Sequence, residues 1–160
     1  MHKFTLRAFR ESDGEHLLKW YENDVAGLQS LFGPQTKLSE DFECMAAFND
    51  LFEAVRRGYA LFWMIDKDTA PLGFFALTHI PENRTTAMAH LYIDAAQRRY
   101  SLHAAKAIEE TLTETLAGIG MSQVFASISG GKGAMHIAKC LGFKVPEAVM
   151  LTKTLTVNGG

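Results

Sequence analysis

The stretch "LYIDAAQRRYSLHAAKAI", residues 91–108, changes character in its middle. Its first residues close an apolar run, "TAMAHLYID" (86–94), that reads as a strand. Its last residues open a long helix over about 99–118. Leu102, Ala105, Ile108, Leu112, Leu116 and Ile119 recur there at helical spacing, with Glu109, Glu110 and Glu114 outside the stripe. Gly118 and Gly120 stop the helix. At the junction stand Gln97, Arg98 and Arg99. A helix start offers unpaired N–H groups and the positive end of the dipole, and so favours anions. Arginine there opposes the dipole at roughly 0.3–1 kcal/mol each, and nothing in the sequence obviously compensates. Either at least one arginine meets a phosphate through charge-assisted hydrogen bonds, or both are solvated.

Upstream, "FTLRAF" (4–9) alternates apolar and polar residues as a half-buried strand does. "SDGE" (12–15) fits a capping box of Ser12 with Glu15, and a short helix comes after it with Leu17, Leu18 and Tyr21 on one face. "GLQSLFGPQTK" (27–37) reads as a loop. Ser39 is expected to cap a second helix, striped by Phe42, Met45, Ala46, Phe48, Phe52 and Val55 and ended by Gly58. "YALFWMI" (59–65) and "LGFFALTHI" (72–80) are nearly all apolar, as central strands covered on both faces are. Short polar turns, "DKDTAP" and "PENRT", predict antiparallel hairpins. Downstream lie a strand, "SQVFASI" (122–128), a flexible turn, "GGKG" (130–133), a helix over 134–141 and a closing strand, "AVMLTKTLTV" (148–157). No repeat, low-complexity tract or linker interrupts this order, so residues 1–160 read as a single domain.

Composition narrows the classes. The chain has 160 residues, 48% of them hydrophobic, enough for a real core. A net charge of −2 argues against non-specific nucleic-acid binding, so no nucleic-acid partner is expected. No apolar run approaches the ~18 residues of a membrane span. The opening "MHKFTLRAF" lacks the apolar segment of a secretion signal, so the expectation is a soluble protein of the cytoplasm, without a membrane partner. Cys44 and Cys140 stand far apart, read as free thiols and make no metal-type pair. No metal site is expected. "SGGKGA" (129–134) comes after a strand and precedes a helix, but it lacks the upstream glycine and the hydroxyl residue of a nucleotide-binding P-loop.

The order of elements, with a long helix after the fourth strand and a short one before the last, resembles the GCN5-related N-acetyltransferases (GNAT). "PLGFFALTHI" looks like that family's "hGhhhl" third strand. "LYIDAAQRRYSLHAAKAI" sits where members carry a strand, then "V-x-P-x-(R/Q)-x-x-G-x-(G/A)", then the long helix. "GKGAMHIAKCLGF" resembles "N-x-x-A-x-x-h-Y-x-x-h-G-F": Ala134, Ile137, Leu141, Gly142 and Phe143 match, and Gly131 falls at the asparagine. Aligned through Arg98, the usual glycines are Ser101 and His103 and the proline is Ala96. The tyrosine that serves many members as general acid is Ala138.

The resemblance implies an α/β (α+β) acyl-CoA N-acyltransferase fold, with a mixed, mostly antiparallel central sheet flanked by helices on both faces. It implies acetyl-CoA as cosubstrate and a primary amine, on a protein or a small molecule, as acceptor. The diphosphate would meet Arg98, Arg99, Tyr100, Ser101, Leu102, His103 and Ala104 at the helix start, with Gly131 beside the pantetheine arm. A backbone amide of Leu91, Tyr92 or Ile93, where the fourth strand splays from the fifth, would polarise the thioester carbonyl. His90 stands near where members carry their general base, and His79 is a second candidate. Tyr100 or Tyr92 would have to replace the missing phenol as acid. The connection after the first helix lines the acceptor side in this fold, where Glu22 and Asp24 would attract a cationic amine. A homodimer through the last strands stays open. So does a second reading, a module that keeps the fold without the chemistry. The lost glycines, the lost tyrosine and the tail "TVNGG" also look like acetyltransferase-like proteins of tailed bacteriophages, which would place the chain in a host cytoplasm or a virion.

Overall fold

The computed structural model describes residues 1–32, 44–126 and 131–144. Five strands, β1 (Phe4–Ala8), β2 (Leu61–Lys67), β3 (Ala70–Thr78), β4 (Thr86–Ile93) and β5 (Gln123–Ala126), form one sheet in that spatial order. The β1–β2, β2–β3 and β3–β4 pairs are antiparallel and β4–β5 is parallel. Helices α1 (Gly14–Asn23), α2 (Val25–Phe32) and α3 (Cys44–Arg56) precede β2. Helix α4 (Ser101–Gly118) makes the crossover into β5, and α5 (Gly131–Cys140) comes after that strand.

The continuous apolar runs are explained by two cores. Alternation along the strands sends Phe62, Met64, Phe74, Ala76 and Tyr92 to one face, where Leu17, Trp20, Leu28 and Phe48 from α1, α2 and α3 cover them. Ile65, Phe75, Leu77, Ala89 and Ile93 go to the other face, under Ala104, Ala105, Ile108 and Leu112 of α4. A strand buried on both sides has no polar positions to alternate with, which is why β2 and β3 read as unbroken apolar sequence.

The hairpins are as expected, with shifted ends. The β2–β3 turn is Asp68–Thr69, both with positive φ (50° and 75°), between the paired Lys67 and Ala70. A register shift after Ile65 sets Asp66 opposite Pro71, so the residue without an N–H sits at an irregularity of the ladder. Four expectations are corrected. Of the expected loop 27–37, residues 27–32 are helical and 33–37 lie outside the described residues: Asp24 caps α2 by accepting the Gly27 amide at 3.1 Å, and the helix runs to Phe32. Ser12 and Glu15 do not form the first cap; Asp13 closes it by accepting the Arg10 amide at 2.8 Å, within a helical turn at Glu11–Asp13. Helix α5 begins at Gly131, inside the expected turn. Ile119, placed on the stripe of the long helix, is 42% exposed just beyond its end. Ser39, Phe42 and the closing strand 148–157 lie outside the described residues.

Two polar devices pin the frame. Arg7 reaches Asp13 through two hydrogen bonds (2.8 and 2.9 Å) and Asp66 through a third (2.7 Å), tying β1, β2 and the entry to α1 together. Burial alone would raise the Asp13 pKa, but the hydrogen bonds from Arg7 and the Arg10 amide outweigh it and hold the carboxyl below its ordinary range. At the end of α5, Gly142 (φ 92°) lets the Phe143 amide reach the Ala138 carbonyl at 3.1 Å. That closure is the physical content of the "GF" pair in "LGF".

Candidate active site

Strand β4 delivers its side chains to opposite faces of the sheet. His90 and Tyr92 share the face covered by α1, α2 and α3, whereas Leu91 and Ile93 face α4. The parallel β4–β5 ladder is described from Thr86↔Gln123 to Ala89↔Ala126. The residues that would continue β5 beside Leu91–Ile93 are not among those described, so the expected splay lies outside them.

Asp94 ends β4 and caps the next segment, accepting the Ala96 amide at 3.1 Å. That segment, Ala95–Tyr100, is a 3-10 turn kinked at Gln97, not the first turns of the long helix. Helix α4 therefore starts at Ser101. Tyr100, at its N-cap, makes no capping hydrogen bond, so the first-turn donors around Leu102 and His103 are not closed by a side chain. Ser101 is buried and its amide donates to the Arg98 carbonyl. His103 is exposed, so its ring is not packed into the protein, while the Ala104 methyl is in the core beneath the helix.

The two arginines part company. Arg98 pairs with Asp24, whose carboxylate also accepts the Tyr92 hydroxyl at 3.1 Å. The guanidinium stands 5.9 Å from the Tyr92 ring centroid. Burial first, and Asp24 second, push the Tyr92 phenol well above its ordinary pKa, so it stays a donor. Gly27 leaves the room for this cluster: a Cβ there would lie 2.3 Å from Asp24 Oδ2 and 2.8 Å from an Arg98 nitrogen. Arg99 instead donates to the Ala96 carbonyl at 3.2 Å and lies 4.6 Å over the Tyr100 ring, which Lys67 Nζ approaches to 4.3 Å.

Tyr100 packs with His2 and Phe4 beside the α4-side core, across the sheet from His90. The two residues named from the sequence as base and acid are thus not brought together. Tyr92, the other candidate acid, is 4% exposed and committed to Asp24. Ala138 is buried and Gly131 opens α5. His79 is exposed.

His90 is largely buried, and burial, helped by the charge of His79, pushes its pKa down to about 4. It is neutral at physiological pH. Its Nε2 lies 2.7 Å from Thr78 Oγ1, which also lies 2.9 Å from His79 Nδ1. Thr78 was not singled out from the sequence. Its signal was present in the alternation of Phe74, Ala76 and Thr78, but the register that sets it diagonal to His90 was not. Among the described residues no cluster of His, Cys, Asp and Glu can hold a metal ion, and no helix is long and apolar enough to cross a membrane.

The same fold occurs in solved acetyltransferase structures. Spermidine N-acetyltransferase from Vibrio cholerae, in complex with CoA and spermine, matches with a TM-score of 0.66 over 89% of this chain and 82% of that one, at 14% identity. RimL, a ribosomal-protein alpha-N-acetyltransferase complexed with coenzyme A, gives 0.66 over 89% and 81%, at 17% identity. The putative acetyltransferase yncA from Salmonella typhimurium, solved with acetyl-CoA, gives 0.63 over 89% and 80%, at 16% identity. No family model matches the sequence, and no curated protein matches it. The architecture is that of the GNAT acyl-coenzyme A N-acyltransferases: a mixed five-stranded sheet with helices on both faces.

Proposed function

We propose that this chain is an N-acetyltransferase that moves the acetyl group of acetyl-coenzyme A directly onto a primary amine. The observation that carries the reading is the end of β4. Beyond it stands a helix start without a capping side chain, and a neutral imidazole lies on its α1–α3 face. The spermidine and ribosomal-protein enzymes that share the fold bracket the acceptor classes, a small amine and a protein.

The residues divide the work. The amides of Leu102 and His103, at a helix start that no side chain caps, are the donors for the diphosphate, and Arg99 stands at the same helix start on the platform of the Tyr100 ring. Backbone N–H groups of Leu91–Ile93 hold the thioester carbonyl, a main-chain task that the changed side chains leave intact. His90 takes the proton of the acceptor amine. Coenzyme A supplies an activated thioester whose sulfur departs as a thiolate without a dedicated phenol; Tyr100 serves binding, not proton donation. The reading puts the protein in the cytoplasm, of a cell or of a bacteriophage's host.

A thermal-shift titration tests it. Acetyl-coenzyme A at about a hundred times its dissociation constant adds ~2.7 kcal/mol, which for a chain of this size raises Tm by about 5–10 °C. Release of free thiol on adding polyamines or peptides with free N-termini then identifies the acceptor. No shift and no calorimetric heat at millimolar ligand overturns the reading and leaves a module that kept the fold alone.

A further inference from the structure

Thr78 ends β3 with its side chain buried, and its hydroxyl touches two imidazoles at once, His90 Nε2 at 2.7 Å and His79 Nδ1 at 2.9 Å. A hydroxyl carries one proton. When both imidazoles are neutral it accepts from one and donates to the other, and the three groups form a directed chain. The inner end, His90, is largely buried on the α1–α3 face; the outer end, His79, is exposed. His79 takes up a left-handed backbone conformation, φ 55°, at the strand exit, where the chain turns its ring back toward Thr78. A base that burial drives to a pKa of about 4 accepts a proton but does not keep it. Among the described residues, the only titratable group resolved as acting on it is His79.

We propose that Thr78 and His79 are a proton relay that discharges His90 to solvent, and this rests on the acetyl-transfer reading above. The starting state has His90 protonated on Nε2, which donates to Thr78 Oγ1, and Thr78 donating to His79 Nδ1. The acceptor ammonium loses a proton to His90 Nδ1. The His90 Nε2–H bond breaks as a Thr78 O–H bond forms. The former Thr78 proton goes to His79 Nδ1. His79, now an imidazolium, gives its Nε2 proton to water. One proton has moved from the amine to bulk water and no other reactant is consumed. As the adduct collapses the amine's second proton goes to water. His90 Nδ1 then protonates the departing thiolate while a proton taken up through His79 and Thr78 refills Nε2, which restores the starting tautomers and leaves one net proton in bulk water. Thr78 and His79 act through His90 and are positioning residues.

Two readouts test this. In 15N-histidine-labelled protein, the ring shifts of His90 report an Nε2–H tautomer; Thr78→Val, the same shape without the hydroxyl, abolishes that preference and Thr78→Ser keeps it. In turnover, Thr78→Val lowers kcat by about 10–100-fold with KM for acetyl-coenzyme A unchanged, and Thr78→Ser restores it. His79→Ala lowers kcat in dilute buffer and is rescued by added imidazole. Full turnover in Thr78→Val, with the wild-type melting temperature, overturns the relay while leaving the transferase. A His90 ring that keeps the same Nε2–H tautomer in Thr78→Val overturns it too. A wild type that turns over no amine, with the two imidazoles still coupled through Thr78, overturns the transferase reading instead.

Discussion

Burial makes His90 a poor place to keep a proton, and this has a consequence for stability that needs no substrate. The pKa is about 4 in the fold against an ordinary 6.5, through desolvation first and His79 second. Above pH 6.5 both folded and unfolded chains are neutral there and the residue contributes no pH dependence. As pH falls from 6.5 toward 4 the unfolded chain takes up a proton and the folded chain does not, so stability falls across that window. At about 1.4 kcal/mol per pH unit the loss over that window is at most about 3.5 kcal/mol, and water reaching part of the ring brings it nearer 2–3 kcal/mol. Urea unfolding at pH 7 and pH 4.5 measures it. His90→Gln, which does not titrate, should flatten the difference; an unchanged pH slope in that variant would mean the imidazole is already solvated. Asp13 acts in a separate window, because its depressed carboxyl loses its contribution only below about pH 3.8.

At the scale of elements, the contact that places the site is the approach of β3 to β4 at Gly73. A Cβ there would stand 1.9 Å from the Tyr92 carbonyl oxygen and 3.0 Å from the Ile93 Cα, backbone atoms that no rotamer change can move. Gly73→Ala must push the end of β4 outward, at a cost of about 3 kcal/mol or more. Tm should fall by about 6–12 °C, and a drop of less than 2 °C would show that the strands separate easily. The glycine was legible in "PLGFFALTHI" as one position of a pattern; what it permits was not, because that depends on the β3–β4 register. The same limit runs through the molecule. Strands, hairpins and the long helix come from periodicity, which is local. Helix α2 was missed because Gly27 reads as a breaker, when its amide is what the Asp24 cap needs. The α5 start was missed because three glycines outweigh a short amphipathic pattern. Pairings across distant sequence, Thr78 with His90 and Asp24 with Arg98, leave no periodic trace at all.

Across the whole molecule, Asp24 joins parts that the chain keeps 74 residues apart. It caps α2, takes the Tyr92 hydroxyl from β4 and holds Arg98 from the segment leading to the α4 start. Asp24, expected from the sequence on the acceptor side, and Arg98, expected at a diphosphate, therefore satisfy each other. The charge named from the sequence as bait for a cationic amine is mostly neutralised. Asp24→Asn separates the two demands on it. Asparagine keeps one oxygen to cap the helix at Gly27 but puts an NH2 group where the second oxygen accepted from Tyr92 and Arg98, so it releases Arg98 and leaves the Tyr92 hydroxyl to accept instead. With the arginine side chain 52% exposed, the lost ion pair costs about 0.5–1 kcal/mol, a fall in Tm of about 1–4 °C. The freed guanidinium then reaches toward the helix start, and coenzyme A should bind several-fold more tightly, with a steeper loss of affinity as salt is raised. Calorimetric titration of the wild type and the variant at two ionic strengths decides between the outcomes. Weaker binding in Asp24→Asn would mean that the carboxylate holds Arg98 in the posture that receives the diphosphate. Then the two halves of the site cooperate through Asp24 and do not compete.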